Sequence, residues 1–360
     1  NTDYSELGDT WSEPQIDKVL VDVSGTDTTK IAMFVGAGYD NVNEDATTPT
    51  TDTEGRGVYV VEIAALNGSG VPSFTNSGHK IWGYTNADSS TLTHSIASDL
   101  SVLDIDSNGY ADRVYVGDTG GNMWRFDVSS TDTTSWALKH IFDSNPGADA
   151  STGRKIFYRP AVTLEIGYEM LFFGTGDRAH PTVTTEVDRI YAVKDTGQST
   201  AKGEGDLSDA TSVNTVNVAS SDGWYLKLST NSGEKVLAQA AVINKVAYYT
   251  TYEPDATAGG DACDTATRGT SRLYSLGYLD AASAYNYNSG NDTTDGDGNT
   301  VEVLDYTDRS TILGTGIPSG IVMVINPSGI SALIGVGGAM VTPEVSDVGG
   351  SIPTYWREVR

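Results

Sequence analysis

The chain has 360 residues, 38% of them apolar, and 48 acidic against 22 basic side chains give a formal net charge of −26. Such a surface lacks the basic footprint that supplies most of the affinity for nucleic acid, and anionic membrane surfaces would repel it. No run reaches the 18 or more apolar residues of a membrane-spanning helix, so membrane insertion is not expected.

A chain this long can bury a sizeable core, and its acidity suits a surface protein in a setting that supplies divalent cations. Cys263 is the single cysteine, so no disulfide forms within the chain. A free thiol, an external partner and an inert buried thiol all remain open. No charged-then-apolar signal peptide opens the chain, and the start at Asn1 reads as a mature or processed piece.

Short segments rich in β-branched and aromatic residues occur at 19–23, 31–35, 58–63, 100–103, 113–116, 162–166, 170–173, 240–243 and 246–251. Clusters of Gly, Asn, Asp and Thr separate them, and no segment sustains an amphipathic helical period. With 40 glycines, this pattern predicts an all-β fold of many short strands and no helix longer than about four turns. Gly-rich corners recur after strands, at Phe34-Val35-Gly36-Ala37-Gly38-Tyr39-Asp40, Phe172-Phe173-Gly174-Thr175-Gly176-Asp177-Arg178 and Leu333-Ile334-Gly335-Val336-Gly337-Gly338. A second element recurs as Arg113-Val114-Tyr115, Arg189-Ile190-Tyr191 and Arg272-Leu273-Tyr274, with a degenerate copy at Gly57-Val58-Tyr59. Repeated strand-turn-strand units, each too small to bury its own face, predict a β-propeller rather than a sandwich; the number of blades stays open. Residues 41–57, 197–214, 255–270 and 282–300 read as loops, poor candidates for the core. None resembles an interdomain linker, so residues 1–360 read as one domain.

The most specific chemistry lies in Asp104-Ile105-Asp106-Ser107-Asn108-Gly109-Tyr110-Ala111-Asp112. Oxygen-bearing side chains fall at loop positions 1, 3, 5 and 9, with Gly109 at position 6 for a sharp turn. Calcium takes six to eight oxygens at about 2.3–2.6 Å, and alternate residues of a tight loop converge on one centre. The expected ligands are Asp104, Asp106, Asn108, the Tyr110 carbonyl and Asp112. Position 12 is Tyr115 within an apolar run, so the loop ends at Asp112 and leads into a strand. Asp295-Gly296-Asp297-Gly298-Asn299 begins similarly but has Val303 at position 9, and reads as a flexible turn.

His79, His94, His140 and His180 do not sit at zinc spacing. No nucleophile elbow, phosphate loop or Cys–His pairing is present, so no enzyme activity is expected. Asp177 and Arg178 read as a structural pair at a strand corner. Trp11, Trp82, Trp124, Trp136, Trp224 and Trp356 read mainly as packing residues, with a minority lining a ligand surface.

With these motifs in order, the chain resembles the C-terminal domain of the PilC/PilY family of type IV pilus tip adhesins and biogenesis factors. The resemblance runs through most of the chain. It rests on Val35-Gly36-Ala37-Gly38-Tyr39-Asp40, on the calcium loop joined to Gly117-Asp118-Thr119-Gly120-Gly121-Asn122-Met123-Trp124-Arg125-Phe126-Asp127, on Phe157-Tyr158-Arg159-Pro160, on Phe173-Gly174-Thr175-Gly176-Asp177-Arg178, and on Pro353-Thr354-Tyr355-Trp356-Arg357-Glu358. It implies a modified, quinoprotein-like β-propeller carrying one Ca2+ on a hairpin loop. It also implies secretion to the pilus tip or bacterial cell surface. The implied partners are minor pilins or other pilus tip components, and a host surface, abiotic surface or glycan. Adhesion and control of pilus extension and retraction are the expected roles. Two other functions fit the same scaffold: a glycan-binding propeller using some of the 19 tyrosines and the tryptophans, and a quinone-cofactor dehydrogenase, for which the vicinal cysteine pair is missing.

Overall fold

The computed structural model describes residues 2–46, 51–144, 153–255, 268–326, 329–343 and 345. Cys263 and the motif at 353–358 lie outside them. Strands dominate, and the one α-helix among the described residues is the single turn α1 (Asn41–Glu44).

The first sheet comprises β1 (Gln15–Asp22), β2 (Asp27–Gly36), β3 (Gly57–Leu66), the two-residue β4 (Pro72–Ser73) and β5 (Lys80–Thr85), each antiparallel to its neighbour. The second has β6 (Ser101–Leu103), β7 (Arg113–Gly117), β8 (Asn122–Asp127) and β9 (Leu138–Asp143) in that order. The third begins with β10 (Ala161–Glu165), β11 (Tyr168–Gly174) and β12 (Arg189–Asp195). Two short strands follow, β13 (Lys202–Gly203) and β14 (Ser208–Asp209), and then β15 (Gly223–Lys227) completes that sheet. The fourth contains β16 (Lys235–Val236), β17 (Ala241–Ile243), β18 (Val246–Glu253) and β19 (Thr270–Gly277). A small hairpin, β20 (Thr293–Thr294) with β21 (Thr300–Val301), precedes its last strand, β22 (Ser310–Thr315). The fifth has β23 (Val322–Asn326), β24 (Gly329–Val336) and β25 (Ala339–Val341). The sheets follow one another along the chain as the blades of a β-propeller.

Each central strand divides its side chains between two neighbouring sheets, because successive residues point to opposite faces. Val114 and Val116 of β7 pack with Phe34 and Val58 of the first sheet, while Tyr115 between them joins Phe173, Tyr191 and Tyr225 of the third. In β11, Leu171 and Phe173 face the second sheet, and Met170 and Phe172 pack with Ala247 and Tyr249 of the fourth. In β18, Val246 and Tyr248 meet Ile330, Ala332 and Ile334 of the fifth. Burial on both faces explains why these segments read as continuous apolar runs rather than alternating ones. Each such side chain contributes about 1.5–3 kcal/mol when fully buried, and the contribution exists only when the next sheet is in place.

Gly36 and Gly174 of the predicted corners, together with Gly117, occupy one recurring position, the end of the second strand of a sheet. In 333–338 the strand β24 ends at Val336, and a Cβ on Gly335 would make only ordinary contacts. A Cβ on Gly36 would meet the Ile96 carbonyl oxygen at 2.2 Å. One on Gly117 would meet Ile156 Cγ2 at 2.2 Å, and one on Gly174 would meet Val236 Cγ2 at 2.3 Å. Ile96, Ile156 and Val236 each stand five residues ahead of Ser101, Ala161 and Ala241, the opening residues of β6, β10 and β17. Glycine there lets the chain entering each sheet cross the preceding corner.

Three expectations need correction. Arg189 and Gly57 open third strands, and Arg272 lies in β19, third along the paired order β16-β18-β19-β22. Arg113 opens a second strand, so the Arg-apolar-Tyr repeat is not structurally uniform. Within 197–214, read as loop, β13 pairs parallel to β9 and β14 parallel to β15. Two-residue strands are too short to carry a period. Within 41–57, also read as loop, Glu44 and Asp52 are fully buried. Asp295–Asn299 behaves as expected: Asp295 Oδ1 accepts from Asp297 N (2.9 Å) and Asn299 N (2.8 Å) in the turn between β20 and β21.

Gly117→Val should lower unfolding free energy by about 1–3 kcal/mol or more, since it overfills a closed contact. Gly205→Ala, with nothing within 4 Å of the added atom, should stay within about 0.5 kcal/mol. Urea titration followed by far-ultraviolet dichroism measures both.

Candidate metal centre

The 104–112 loop closes the β6–β7 hairpin, whose register runs Ser101↔Tyr115, Val102↔Val114 and Leu103↔Arg113. Its base is held by Asp112 N donating to Leu103 O (2.7 Å) and Val128 N donating to Asp112 O (2.7 Å). The turn needs positive φ at Ser107 (61°) and Gly109 (93°), and glycine adopts this conformation at no steric cost.

The aspartates are turned inward by the loop's own amides. Asp104 accepts from Asn108 N (3.0 Å) and Gly109 N (2.8 Å). Asp112 Oδ2 accepts from Ile105 N (2.7 Å) and Asp106 N (3.2 Å). Asp106 accepts from Asn108 N (3.0 Å) and Asn108 Nδ2 (2.9 Å). One carboxylate oxygen from each of Asp104, Asp106 and Asp112 lies within 4.8 Å of the other two. Oxygens around one calcium at about 2.3–2.6 Å are at most about twice that distance apart, so the three aspartates fit a single ion. The Asn108 side chain braces the loop, its Oδ1 accepting from Tyr110 N (2.9 Å). Tyr115 lies in the core and donates from its hydroxyl to Asp195 Oδ2 (2.7 Å).

The loop is also fastened to the first sheet, which the sequence does not reveal. Ala111, buried in the core between the two sheets, donates its N–H to the Lys18 carbonyl (2.8 Å). The Tyr110 hydroxyl lies 3.0 Å from Thr29 Oγ1.

The model of the PilY1 β-propeller domain matches residues 1–216, from the first sheet through the 104–112 loop to the strands of the third. The chain belongs to the PilY1 β-propeller family. A type IV pilus biogenesis factor PilY1 homolog of Xylella fastidiosa is 27% identical over 227 residues, covering 55% of this chain and 15% of the relative. A second such homolog from that organism is 30% identical over 171 residues, covering 41% and 13%. The crystal structure of the Pseudomonas aeruginosa PilY1 C-terminal domain superposes with a TM-score of 0.62 at 15% identity, covering 95% of this chain and 73% of that one. The chain thus spans about one-seventh of the length of these curated relatives.

Other motif residues of this PilY1-family propeller shape the backbone. The buried Asp118 carboxylate accepts from Gly120 N (3.0 Å), Asn122 N (2.9 Å) and Trp124 Nε1 (2.8 Å). Asp40 likewise accepts from Asn43 N (3.1 Å) and Thr53 N (2.6 Å). The expected Asp177–Arg178 pair does not form. Asp177 instead meets Lys155 Nζ (2.8 Å) and His180 Nδ1 (3.1 Å), and Lys155 also reaches Glu44 (2.6 Å). Lys155 therefore ties the corner of the first sheet to that of the third. No spacing in the sequence marks this contact, because its partners stand far apart along the chain.

Beside this cluster, burial and the neighbouring Glu44 raise the Asp52 carboxyl from its ordinary 3.8 to about 8. Burial also raises Asp188 to about 6. A raised carboxyl contributes stability that is full below its unfolded pKa and lost as pH rises through the folded value. At fixed calcium, the melting temperature should fall from pH 6 to pH 9. Asp52→Asn should remove up to about 2–3 kcal/mol of that loss, at about 1.4 kcal/mol per pH unit. Calorimetric melts across that range measure it, and an unchanged pH dependence would refute the assignment.

Proposed function

We propose that this PilY1-family propeller is a non-enzymatic, calcium-stabilised module of the type IV pilus. In this reading Asp104, Asp106 and Asp112, with Asn108 and the Tyr110 carbonyl, hold one Ca2+. The observation that carries it is the convergence of three carboxylate oxygens on a loop fastened to two sheets. Bound calcium would neutralise two of three clustered negative charges. The residues themselves orient the ligands through loop amides and transmit the constraint to β1 and β2 through Ala111 and Tyr110. The whole of residues 1–360 is taken as one propeller domain.

The pilus role is supported by the family and by relatives described as type IV pilus biogenesis factors. In this reading the protein lies outside the cell, at the pilus tip or bacterial surface, beside minor pilins or other tip components. Control of extension and retraction and adhesion to surfaces belong to the same proposal. No helix among the described residues is long and apolar enough to cross a membrane. A quinone dehydrogenase on this scaffold would carry a stoichiometric organic cofactor, so near-ultraviolet and visible absorbance of the purified protein separates the two readings.

Lacking a position-12 glutamate, the loop should bind calcium with a dissociation constant of about 10⁻⁴–10⁻³ M, as extracellular calcium modules do. At a hundredfold excess over that constant, calcium should stabilise the fold by about 2.7 kcal/mol. Magnesium should substitute poorly, because it demands tighter octahedral geometry. Asp106, exposed and outside the hairpin base, gives the cleaner variant: Asp106→Ala should lose the calcium increment and melt like wild type in EDTA. Asp112→Ala should lose it too, and about 1 kcal/mol more, because two amides lose their acceptor. Equal melting of wild type in EDTA and in millimolar calcium, with no binding heat, would reduce the loop to a turn.

A further inference from the structure

The entry segments of successive sheets converge on a cavity of about 540 Å³, lined by Asp99, Tyr158, Gln239 and Ser319 among others, with Arg178 at its edge. Asp99, Arg159 and Gln239 each stand two residues ahead of Ser101, Ala161 and Ala241, where β6, β10 and β17 begin. They interlock: Arg159 Nε donates to Gln239 Oε1 (3.0 Å), and its Nη1 donates to Gln15 Oε1 (2.7 Å) on β1. Equivalent positions of the second and fourth sheets, Asp99 and Gln239, therefore line one space, with Arg159 of the third bonded to Gln239 beside it. Polar side chains converging on a cavity are where ligand sites commonly form.

Arg178 is the distinctive group there. Arg56, Arg113, Arg125, Arg154, Arg189 and Arg272 are all ion-paired. Among the described residues Arg159, Arg178, Arg268 and Arg309 have no such pair. Arg159 is bonded to Gln239 and Gln15 and Arg309 to main-chain carbonyls, whereas Arg178 makes no hydrogen bond among the described residues and has the Asp99 charge as its acidic neighbour. Its guanidinium lies 5.6 Å from the Trp11 ring centroid and 5.4 Å from that of Tyr158. Trp11 is in turn stacked on Tyr39 at 4.6 Å. A guanidinium held by aromatic faces keeps its planar fork of donors at the edge, matched to a carboxylate. Gln239 gives its oxygen to Arg159 Nε, so its amide protons are the group it can still offer as donors. Asp99 Oδ1 accepts from Glu13 N (2.5 Å), and its second carboxylate oxygen supplies an acceptor in the same cavity.

We propose that this cavity binds a carboxylate-bearing sugar residue, its carboxylate on Arg178 and its hydroxyls on Asp99, Tyr158 and Gln239. A peptide adding as a β-strand fits less well. On the 317–320 wall Pro318 has no N–H, Ser319 N donates to Gly335 O (2.8 Å), and Ser319 O accepts from Thr250 Oγ1 (3.0 Å). The site is independent of the calcium loop and is tested in calcium buffer throughout.

Isothermal titration of the full chain would use trigalacturonate, its methyl ester, sialyllactose and lactose. A pair of peptides with a free and an amidated C-terminus completes the set. At least one acidic sugar should bind saturably, tenfold or more tighter than its neutral counterpart, and the two acids distinguish uronic from sialic recognition. Arg178→Gln should abolish that preference with an unchanged melting temperature, as expected for an exposed side chain. Arg178→Lys should restore it only in part, because the fork is lost. Gln239→Glu, which sets a carboxylate against the ligand, should weaken binding independently. Equal binding of acid and ester, unaltered binding by Arg178→Gln, no heat with any sugar at millimolar concentration, or preference for the free peptide carboxylate would each overturn the proposal.

Discussion

Everything in this propeller depends on sheets that are apolar on both faces. A sheet such as β10–β12 with β15 cannot hide Met170 and Phe172 on one side and Leu171 and Phe173 on the other without two neighbours. The hydrophobic effect is non-directional, so it drives sheets together without fixing how they sit. Angle and spacing come from the corners, where Gly36, Gly117 and Gly174 admit the incoming chain at a distance no side chain would tolerate. Polar contacts then lock the pairing. Arg125 of β8 reaches Asp195 of β12 at 2.8 Å with both side chains buried, and Tyr115 shares the same carboxylate. Removing one partner of such a pair costs about 3–5 kcal/mol, because the other charge is left buried. It opposes any slip between the second and third sheets.

The 104–112 loop belongs to this inter-sheet logic rather than standing apart on a hairpin tip. β6 is only three residues long, too short to hold its register strongly by ladder hydrogen bonds. Three mutually repelling aspartates at its end add a local cost that the loop amides offset only in part. Fastening Ala111 to Lys18 and Tyr110 to Thr29 means that loop order and the packing of the first two sheets are coupled. A cation at this place would act on a blade interface, and on a metal-free chain that interface is where local opening should begin.

Much of the strand content was legible because doubly buried strands are short apolar runs bounded by turn residues. The segments at 31–35, 58–63, 170–173 and 246–251 lie inside β2, β3, β11 and β18. The segment at 162–166 overran its strand by one residue: Ile166 is fully exposed in the β10–β11 turn. The three aspartates were legible because their chemistry is local in sequence. What depends on distant residues was not. Lys155 joins Glu44 to Asp177, and Arg178 leaves its chain neighbour Asp177 to stack on Trp11. The adjacent pair suggested the wrong partner because at the end of a corner successive side chains diverge. Asp177 turns to the buried lysine, while Arg178 turns to the rings.

Comparison of equivalent positions within the chain separates what the fold requires from what it leaves free. The corner position is glycine in all three of Gly36, Gly117 and Gly174, and the residue crossing it is always β-branched, as Ile96, Ile156 or Val236. Sterics admit little else. Three residues further on, the equivalent positions are Asp99, Arg159 and Gln239: an acid, a base and an amide. Those side chains are only partly buried, and Arg159 is joined to Gln239 by a hydrogen bond rather than to a corner glycine, so repetition of the blade does not dictate their identity. A propeller builds symmetric walls from its repeated positions and an asymmetric opening from its unrepeated ones. Chemistry grafted on a fold belongs to the second set. In this chain the polar diversity ahead of β6, β10 and β17, set against uniform glycine and β-branched residues three positions earlier, is the internal ground for the proposed ligand site.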